Sequence, residues 1–263
     1  MAKGSSVQAL YELCRRTFTS SSAASASPQA IRKISALMDT ITPEEVGLGD
    51  GLDDDRGLGF FGSSPFNNPN RTARWAQPIT YLHIYECDSF TIGIFCLPTS
   101  SVIPLHDHPG MTVLSKILYG SMHVKAYDWT EPSFIARSGN SKNNPVRLGK
   151  LQKDTVLTAP CPTTVLYPKT GGNLHCFTAV TSCAVLDVLA PPYSEVAGRN
   201  CTYYHDYPYS SFSTGEEPVQ PDKGEDHAWL EAIEAPDLYM RSGAYTGPAV
   251  QGELCFPGSC TII

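Results

Sequence analysis

The middle of the sequence, from Ile79 to Leu189, is a succession of short apolar runs separated by turn-forming residues. The runs are rich in Ile, Val, Phe, Tyr and Thr, which favour strands, and Pro, Gly and Asn separate them at strand-and-turn spacing. Gly120 marks a hairpin turn between two runs. The pattern predicts an all-β fold in which eight strands pack as a double-sheet jelly-roll barrel. The predicted strands are 81–87, 91–97, 113–119, 121–129, 156–159, 164–167, 175–180 and 184–189.

Two stretches before the barrel carry apolar residues at helical spacing, which predicts two short amphipathic helices docked on the core. Their apolar residues are Val7, Leu10, Tyr11, Cys14 and Phe18, then Ile31, Ile34, Leu37, Met38 and Ile41. A loop rich in Gly and Asp follows at 47–62. We therefore divide the chain into an N-terminal region, 1–62, packed on the barrel, and a barrel domain, 63–263. The tail of that domain, from Pro191 onward, is predicted to wrap the barrel and to hold one short helix around 225–234.

Charge and composition exclude several classes of protein. The net charge is −7, and no cluster of five or more Lys and Arg residues occurs, which argues against a nucleic-acid groove. No apolar run reaches the roughly 18 residues of a membrane helix, and the first ten residues lack the apolar centre of a secretory signal. Nine cysteines without repeated CxxC spacing are expected to be free thiols. The sequence thus predicts an intracellular protein that binds neither nucleic acid nor membrane.

Two histidine-bearing segments are the sharpest chemical feature of the sequence. Residues 104–110, Pro-Leu-His-Asp-His-Pro-Gly, carry His106 and His108 at positions i and i+2. On an extended segment both side chains point to one face, so both imidazoles can reach one point inside a barrel. The alternative is a pair of polar loop histidines beside a turn. A glycine turn further along delivers His175 to the head of an apolar strand, and the three together predict a metal site.

The spacing of these segments resembles the two motifs of cupins. The first cupin motif runs His-x-His, then a Glu four or five residues later, then a Gly; the second runs Pro-x-Gly, two residues and His. His106, His108 and Gly120 fit the first motif. Gly172 and His175 fit the second, with two residues added between Pro168 and the glycine.

The departure from the cupin pattern lies at the position of the Glu ligand, which Val113 occupies. Loss of that carboxylate resembles the thiol dioxygenases, whose iron is held by three histidines. Three neutral imidazoles leave an Fe(II) site with its full +2 charge and with open coordination positions. Such a site favours an anionic thiolate as the incoming ligand.

Longer segments extend this resemblance to one family. Residues 79–86 (ITYLHIYE), 103–111 (IPLHDHPGM), 159–162 (APCP) and 171–177 (GGNLHCF) look like the plant cysteine oxidases, relatives of the animal cysteamine dioxygenases. The resemblance implies a cupin double-stranded β-helix with Fe(2+) as cofactor. It also implies that the enzyme, a monomer, uses O2 to oxidise the N-terminal cysteine of target proteins to cysteine sulfinic acid. The implied targets are group VII ethylene-response transcription factors, marked for arginylation and degradation by the Cys/Arg N-degron pathway, so that the enzyme senses oxygen in the cytoplasm and nucleus.

Two further residues are expected to act beside the metal. Asp187 and Tyr193 lie in Leu-Asp-Val-Leu-Ala-Pro-Pro-Tyr, residues 186–193, which resembles the family segment that carries its catalytic Asp and Tyr. A carboxylate within an apolar strand is costly to bury without a partner, so Asp187 is expected to accept a hydrogen bond from the substrate amine or from a water near iron. A salt-bridged Asp at a strand end, and a Tyr193 that only packs, are the alternatives.

Other functions stay open from the sequence. One is a dioxygenase for a small thiol such as cysteine or cysteamine; the former would need an arginine to clamp its carboxylate, and Arg74, Arg147 and Arg199 are candidates. Another is a metal-binding cupin without turnover that acts as a sensor or interaction module. The last four residues, 260–263, formally match a prenylation box, but they lack its aliphatic pattern and its usual final residue.

Overall fold

A computed structural model describes residues 5–19, 26–49, 78–131, 133, 135–137, 145–212 and 226–252. The predicted boundary at 62/63, Arg74 and the motif at 260–263 lie outside these residues, and the domain division stays a prediction. None of the helices in the described part of the chain has the length and hydrophobicity to span a membrane. The seven cysteines within the described ranges are free thiols.

The described residues form two α-helices followed by thirteen strands, with short 3-10 helices at Glu44–Val46 and Tyr209–Ser211. The helices are α1 (Ser6–Thr17) and α2 (Pro28–Thr40). The strands are β1 (Ile79–Cys87), β2 (Phe90–Leu97), β3 (Val102–Asp107), β4 (Thr112–Tyr119), β5 (Ser121–Trp129), β6 (Ile135–Arg137), β7 (Pro145–Thr158), β8 (Thr164–Leu166), β9 (Leu174–Ala179), β10 (Cys183–Ala190), β11 (Tyr203–Pro208), β12 (His227–Ile233) and β13 (Met240–Gly243).

These strands make two sheets that face each other. The first has six strands in the order β13-β1-β2-β10-β4-β8, and the second has seven in the order β12-β11-β3-β9-β5-β7-β6. A further pairing of β12 with β7 closes six strands of the second sheet into a ring. The pairings are antiparallel apart from β1 with β13. The two-sheet arrangement confirms the predicted all-β jelly-roll class, which is the cupin architecture.

Alternation along the strands decides which residues face the space between the sheets. In β10, Leu186 and Val188 belong to the core that contains residues of α1 and α2, so they face the helices. Val185 belongs to the core between the sheets, and Asp187, two residues further on, faces the same way. The helices therefore cover the outer face of the six-stranded sheet and leave the inner face for the site.

The structure corrects the prediction for the tail. The stretch around 225–234 was expected to be a helix, whereas most of it forms strand β12. Trp229 packs with Val146 and Leu148 on one face of β12, and Leu230 packs in the ring of strands on the other. A strand buried on both faces shows no alternation in sequence, and its hydrogen bonds come from β7 and β11, which are distant in the chain. The sequence alone could not reveal that pairing.

The remaining strand predictions agree with the structure, with two exceptions. Seven of the eight predicted strands match observed strands to within two residues. The eighth, 156–159, is the end of the much longer β7. Strand β3 was not among the predicted strands, although the segment that carries the first histidine pair was expected to be extended.

Candidate metal centre

The structure brings the three predicted histidines together between the two sheets. His106 lies in β3 and His108 directly after it, while His175 lies in the neighbouring strand β9. His106 and His175 are direct cross-strand partners, so their side chains share one face. One ligand atom from each histidine lies within 4.8 Å of the others, and Nε2 of His108 is 3.0 Å from Nε2 of His175. All three side chains are buried, and the cluster contains no carboxylate among the residues that the structure describes.

Hydrogen bonds on the far side of two imidazoles fix which nitrogen faces the cluster. Nδ1 of His106 donates to the carbonyl oxygen of Pro104 at 2.8 Å, which leaves the lone pair on Nε2. The hydroxyl of Tyr193 donates to the carbonyl oxygen of Asp107 at 2.7 Å and lies 2.8 Å from Nδ1 of His108. A hydroxyl has only one hydrogen, so Tyr193 must accept from His108, whose Nε2 is then also free to bind a metal.

Burial keeps the three imidazoles uncharged. Desolvation lowers the pKa of His106 to about 4 and lowers the pKa of His108 and of His175 well below the usual value. The ring of Phe177 stacks on His175 at a centroid distance of 4.2 Å. Since a metal binds neutral imidazole, the site needs little proton release to accept an ion near neutral pH.

Asp128, at the end of β5, holds the glycine turn that leads to His175. Its carboxylate accepts hydrogen bonds from the backbone N–H groups of Gly171, Gly172 and Asn173, each at 2.9 Å. The side chain of Asn173 in turn binds the backbone of His108. Its amide oxygen accepts a hydrogen bond from the N–H of His108 at 3.2 Å, and its NH2 group donates one to the carbonyl oxygen of His108 at 2.9 Å. One amide therefore joins two histidine segments that lie 65 residues apart.

Asp128 and Asn173 were not among the residues singled out from the sequence. Neither residue belongs to the pattern of metal ligands. Each acts through hydrogen bonds to backbone groups, and such bonds require no particular residue spacing in the sequence. Both are buried, and a buried Asp must be hydrogen-bonded to be tolerated. That rule could have drawn attention to Asp128 only if its burial had been known.

We expect the substitution Asp128→Asn to weaken both folding and metal binding. The amide keeps one acceptor oxygen and turns an NH2 group toward backbone donors, so at least one buried N–H loses its partner. The free energy of unfolding should fall by about 2–4 kcal/mol, measured by urea denaturation of the metal-free protein. Metal affinity, measured by competition with a chelator, should fall roughly 10- to 100-fold.

The matched control for this prediction is Asp154→Asn. Asp154 is an exposed acid on β7 that pairs with His123 at 2.6 Å, and exposed ion pairs contribute little to stability. If both variants resembled the wild type in stability and metal affinity, the bracing role of Asp128 would be wrong.

Asp187 lies deep within β10 on the inner face of the six-stranded sheet. It is the cross-strand partner of Gly93 on one side and of Ser115 on the other. Ser115 hydrogen-bonds the carboxylate, whereas Oδ1 is buried and has no hydrogen-bond partner among the described residues. Burial raises the pKa of Asp187 to about 7. The alternative of a salt bridge at a strand end finds no support, because the residue is mid-strand and no ion pair involves it in the described ranges.

A small cavity lies beside His175, between the sheets. Its volume is about 20 Å³, which is room for a molecule the size of water. Val113, which stands where cupins carry the Glu ligand, lines it, so the wall at this position is apolar. Ser115, Ala126, Lys153 and Phe177 also line the cavity.

No arginine lines this cavity among the residues that the structure describes. The guanidinium of Arg147 lies 4.1 Å from the ring centre of Trp129 and donates to Ser133 at 3.0 Å. Arg199 donates to the carbonyl oxygen of Pro192 at 3.1 Å. Neither of these side chains forms the carboxylate clamp that the small-thiol alternative required for cysteine.

Comparison with known proteins agrees with this geometry. The PCO_ADO family matches residues 37–250. Plant cysteine oxidase 2 of Arabidopsis thaliana is 45% identical over 248 residues, which cover 93% of this chain and 83% of the relative. Plant cysteine oxidase 1 of the same plant is 41% identical over 253 residues, covering 93% and 80%. Human 2-aminoethanethiol dioxygenase is 34% identical over 195 residues, covering 66% and 68%.

Among solved structures, an RmlC-like cupin protein from Desulfovibrio desulfuricans aligns with 49% of this chain and 99% of its own, at 19% identity and a TM-score of 0.26. The family assignment rests instead on the match across most of the sequence and on the identity with the two Arabidopsis proteins. On these grounds the chain belongs to the PCO_ADO family, and these three relatives are named as plant cysteine oxidases and as a 2-aminoethanethiol dioxygenase.

Proposed function

We propose that the protein is an Fe(II)-dependent thiol dioxygenase that uses O2 to oxidise the N-terminal cysteine of target proteins to cysteine sulfinic acid. Membership of the PCO_ADO family makes it a thiol dioxygenase. The observation that carries the proposal is the cluster of three buried, neutral imidazoles without a carboxylate. Because these donors are neutral, a bound divalent ion keeps its full positive charge. That charge favours the binding of an anionic sulfur ligand.

The donor set fits ferrous iron. His106, His108 and His175 would hold the ion through Nε2, because hydrogen bonds to Pro104 and Tyr193 occupy Nδ1 of the first two. When bound, Fe(II) would supply open coordination positions for a thiolate and for O2. The protein's own part is to hold the imidazoles neutral and oriented, which burial and the two hydrogen bonds achieve.

Asp187 explains why the proposed substrate is an N-terminal cysteine and not an internal one. An internal cysteine has no α-amine, whereas an N-terminal cysteine has one with a pKa of about 7.7 to 8.0. The buried Oδ1 of Asp187 is an acceptor without a partner among the described residues, and Asp187 is the cross-strand partner of Ser115, which lines the cavity beside His175. An ammonium group of the substrate would satisfy this oxygen and keep the carboxylate ionised.

The overall reaction balances without an organic cofactor. Both atoms of O2 become bonded to sulfur, and the four electrons that reduce O2 come from the sulfur, which moves from thiol to sulfinic acid. The hydrogen of the thiol ends on the acid or in solvent.

Mass spectrometry of a Cys-initiated peptide, incubated in air with Fe(II)-loaded protein, tests the proposal. We expect a gain of two oxygen atoms, and no gain when the α-amine of the same peptide is acetylated, because the acetylated amine cannot form the ion pair with Asp187. Equal oxidation of the free and acetylated peptides would contradict the role of the amine. A peptide left unchanged, together with oxidation of free cysteine or cysteamine, would select the small-thiol enzyme instead.

We further propose that the targets are group VII ethylene-response transcription factors, and that the oxidation feeds the Cys/Arg N-degron pathway in response to O2. The support is the identity with two proteins named plant cysteine oxidases. We also propose that the protein is a monomer and that it acts in the cytoplasm and nucleus. Oxidation of peptides that carry the N-termini of these factors, at several O2 concentrations, and light scattering of the purified protein would test it.

A second candidate is a dioxygenase for small thiols. Its support is the 34% identity with human 2-aminoethanethiol dioxygenase. A cupin that binds metal without turnover receives less support, because a sensor has no need of a buried carboxylate oxygen that lacks a partner.

A further inference from the structure

The cavity beside His175 has different chemistry on its two walls. The six-stranded sheet contributes Ser115, which hydrogen-bonds the acidic Asp187. The facing sheet contributes Ala126 from β5 and Lys153 from β7, which are direct cross-strand partners. An acidic residue therefore lies behind one wall of this cavity, and a lysine lines the opposite wall.

An irregularity in strand pairing directs Lys153 inward. Ala126 pairs with Lys153, but the next residue of β5, Tyr127, pairs with Leu151, so Gln152 is an extra residue in β7. Leu151 and Tyr127 pack in the ring of strands on the outer side of the sheet. Regular alternation would send Lys153 to that same side, two residues on from Leu151. The bulge reverses the alternation, as bulges beside functional sites commonly do.

Other residues confirm the inward direction of Lys153. Its partner Ala126 and the nearby Val124 belong to the core between the sheets, and Leu157, four residues further along β7, packs against the same core. Direct partners in a sheet place their side chains on the same face. Lys153 lines the cavity and is only partly buried, so its side chain contacts both the cavity and solvent.

The ammonium of Lys153 forms no hydrogen bond or ion pair with the residues that the structure describes. Two other lysines of the barrel are engaged. Lys116 donates to the carbonyl oxygen of Cys161 at 2.6 Å, and Lys125 donates to Asp206 at 2.6 Å. Lys153 is also close to a metal ligand, because it lines the same cavity as His175.

We propose that Lys153 is a specificity-determining residue that binds an oxygen acceptor of the peptide substrate. The acceptor is either the backbone carbonyl that follows the cysteine α-carbon or an acidic side chain of the next residue. If the carbonyl is the acceptor, Asp187 and Lys153 bind opposite ends of the N-terminal cysteine; if the acid is the acceptor, they bind two successive residues of the peptide. This inference rests on the proposed function and extends it to the recognition of the peptide.

The test is the substitution Lys153→Met, which keeps the length of the side chain and removes its charge. KM and kcat are measured on two Cys-initiated peptides that differ only in Asp or Asn at the second position. If the carbonyl is the acceptor, KM rises about tenfold for both peptides. If the acid is the acceptor, KM rises for the Asp peptide alone. In both cases kcat, iron content and the midpoint of unfolding stay at wild-type values, and Lys153→Arg retains most of the affinity.

Lys150→Met is the matched control, because Lys150 is an exposed lysine on the same strand and does not line the cavity. It should leave KM unchanged for both peptides. Suppose that the wild-type enzyme oxidises both peptides. The inference would then be wrong if KM were unchanged in Lys153→Met, or if the variant lost activity only through a lower kcat or a lower iron content. If the wild-type enzyme oxidised neither peptide, the proposed function would fail, and this inference with it.

Discussion

The variant His175→Ala is expected to lose peptide oxidation completely. His175 supplies one of three nitrogen donors in a cluster that contains no carboxylate to compensate among the described residues. Loss of a residue that hydrogen-bonds to a metal ligand typically weakens metal binding 10- to 100-fold. Loss of the ligand itself should weaken metal binding by more than that. Metal content after dialysis and oxidation of a Cys-initiated peptide are the measurements.

His123→Ala provides the control for this loss. His123 is a partly exposed histidine on β5 that pairs with Asp154 on the outer side of the sheet. It should retain both metal and turnover. Full metal content in His175→Ala would show that the ion is held elsewhere and would remove the basis of the proposed mechanism.

Asp187→Asn is expected to lower kcat/KM for a Cys-initiated peptide about 100-fold, because loss of one partner of a buried charge pair costs several kcal/mol. Asn keeps the shape of the side chain but cannot form an ion pair with the substrate amine. The metal should stay bound, since Asp187 is not one of the three clustered ligands. Turnover and metal content are measured together, so that loss of chemistry is distinguished from loss of iron.

The stability of Asp187→Asn separates a functional role from a structural one. The pKa of Asp187 is raised to about 7 in the folded protein, so the folded state holds its proton more tightly than the unfolded state does. Ionisation therefore destabilises the metal-free wild type as pH rises from the unfolded pKa toward 7. The variant lacks this ionisation cost. The free energy of unfolding of the variant minus that of the wild type should therefore be roughly 2–3 kcal/mol larger at pH 8 than at pH 5.

Two results would contradict this account of Asp187. A variant that is less stable than the wild type at both pH values would show that the carboxylate holds the fold together. Wild-type turnover in the variant would show that the substrate amine binds elsewhere. Ser115→Ala should have a smaller effect on turnover, because it removes only one hydrogen bond to the carboxylate.

Much of the candidate site follows from local rules. An extended segment places residues i and i+2 on one face, which is why His106 and His108 could be paired from their spacing alone. The third histidine stands after a glycine turn at the head of a strand, and the structure has that strand at Leu174–Ala179. Tyr193 and Asp187 were singled out through resemblance, and their contacts came only with the structure.

What the sequence by itself determined is the alternation of short apolar strands and turns, the two helices, and the three imidazole donors with Val113 in place of a carboxylate. These are local properties, because side-chain direction and strand preference depend on neighbouring residues. The tertiary structure alone decided that 227–233 is a strand, that Asp128 and Asn173 brace the ligands, and that a bulge at Gln152 turns Lys153 inward. Each of these depends on hydrogen bonds or burial between residues far apart in the chain, which sequence patterns do not record.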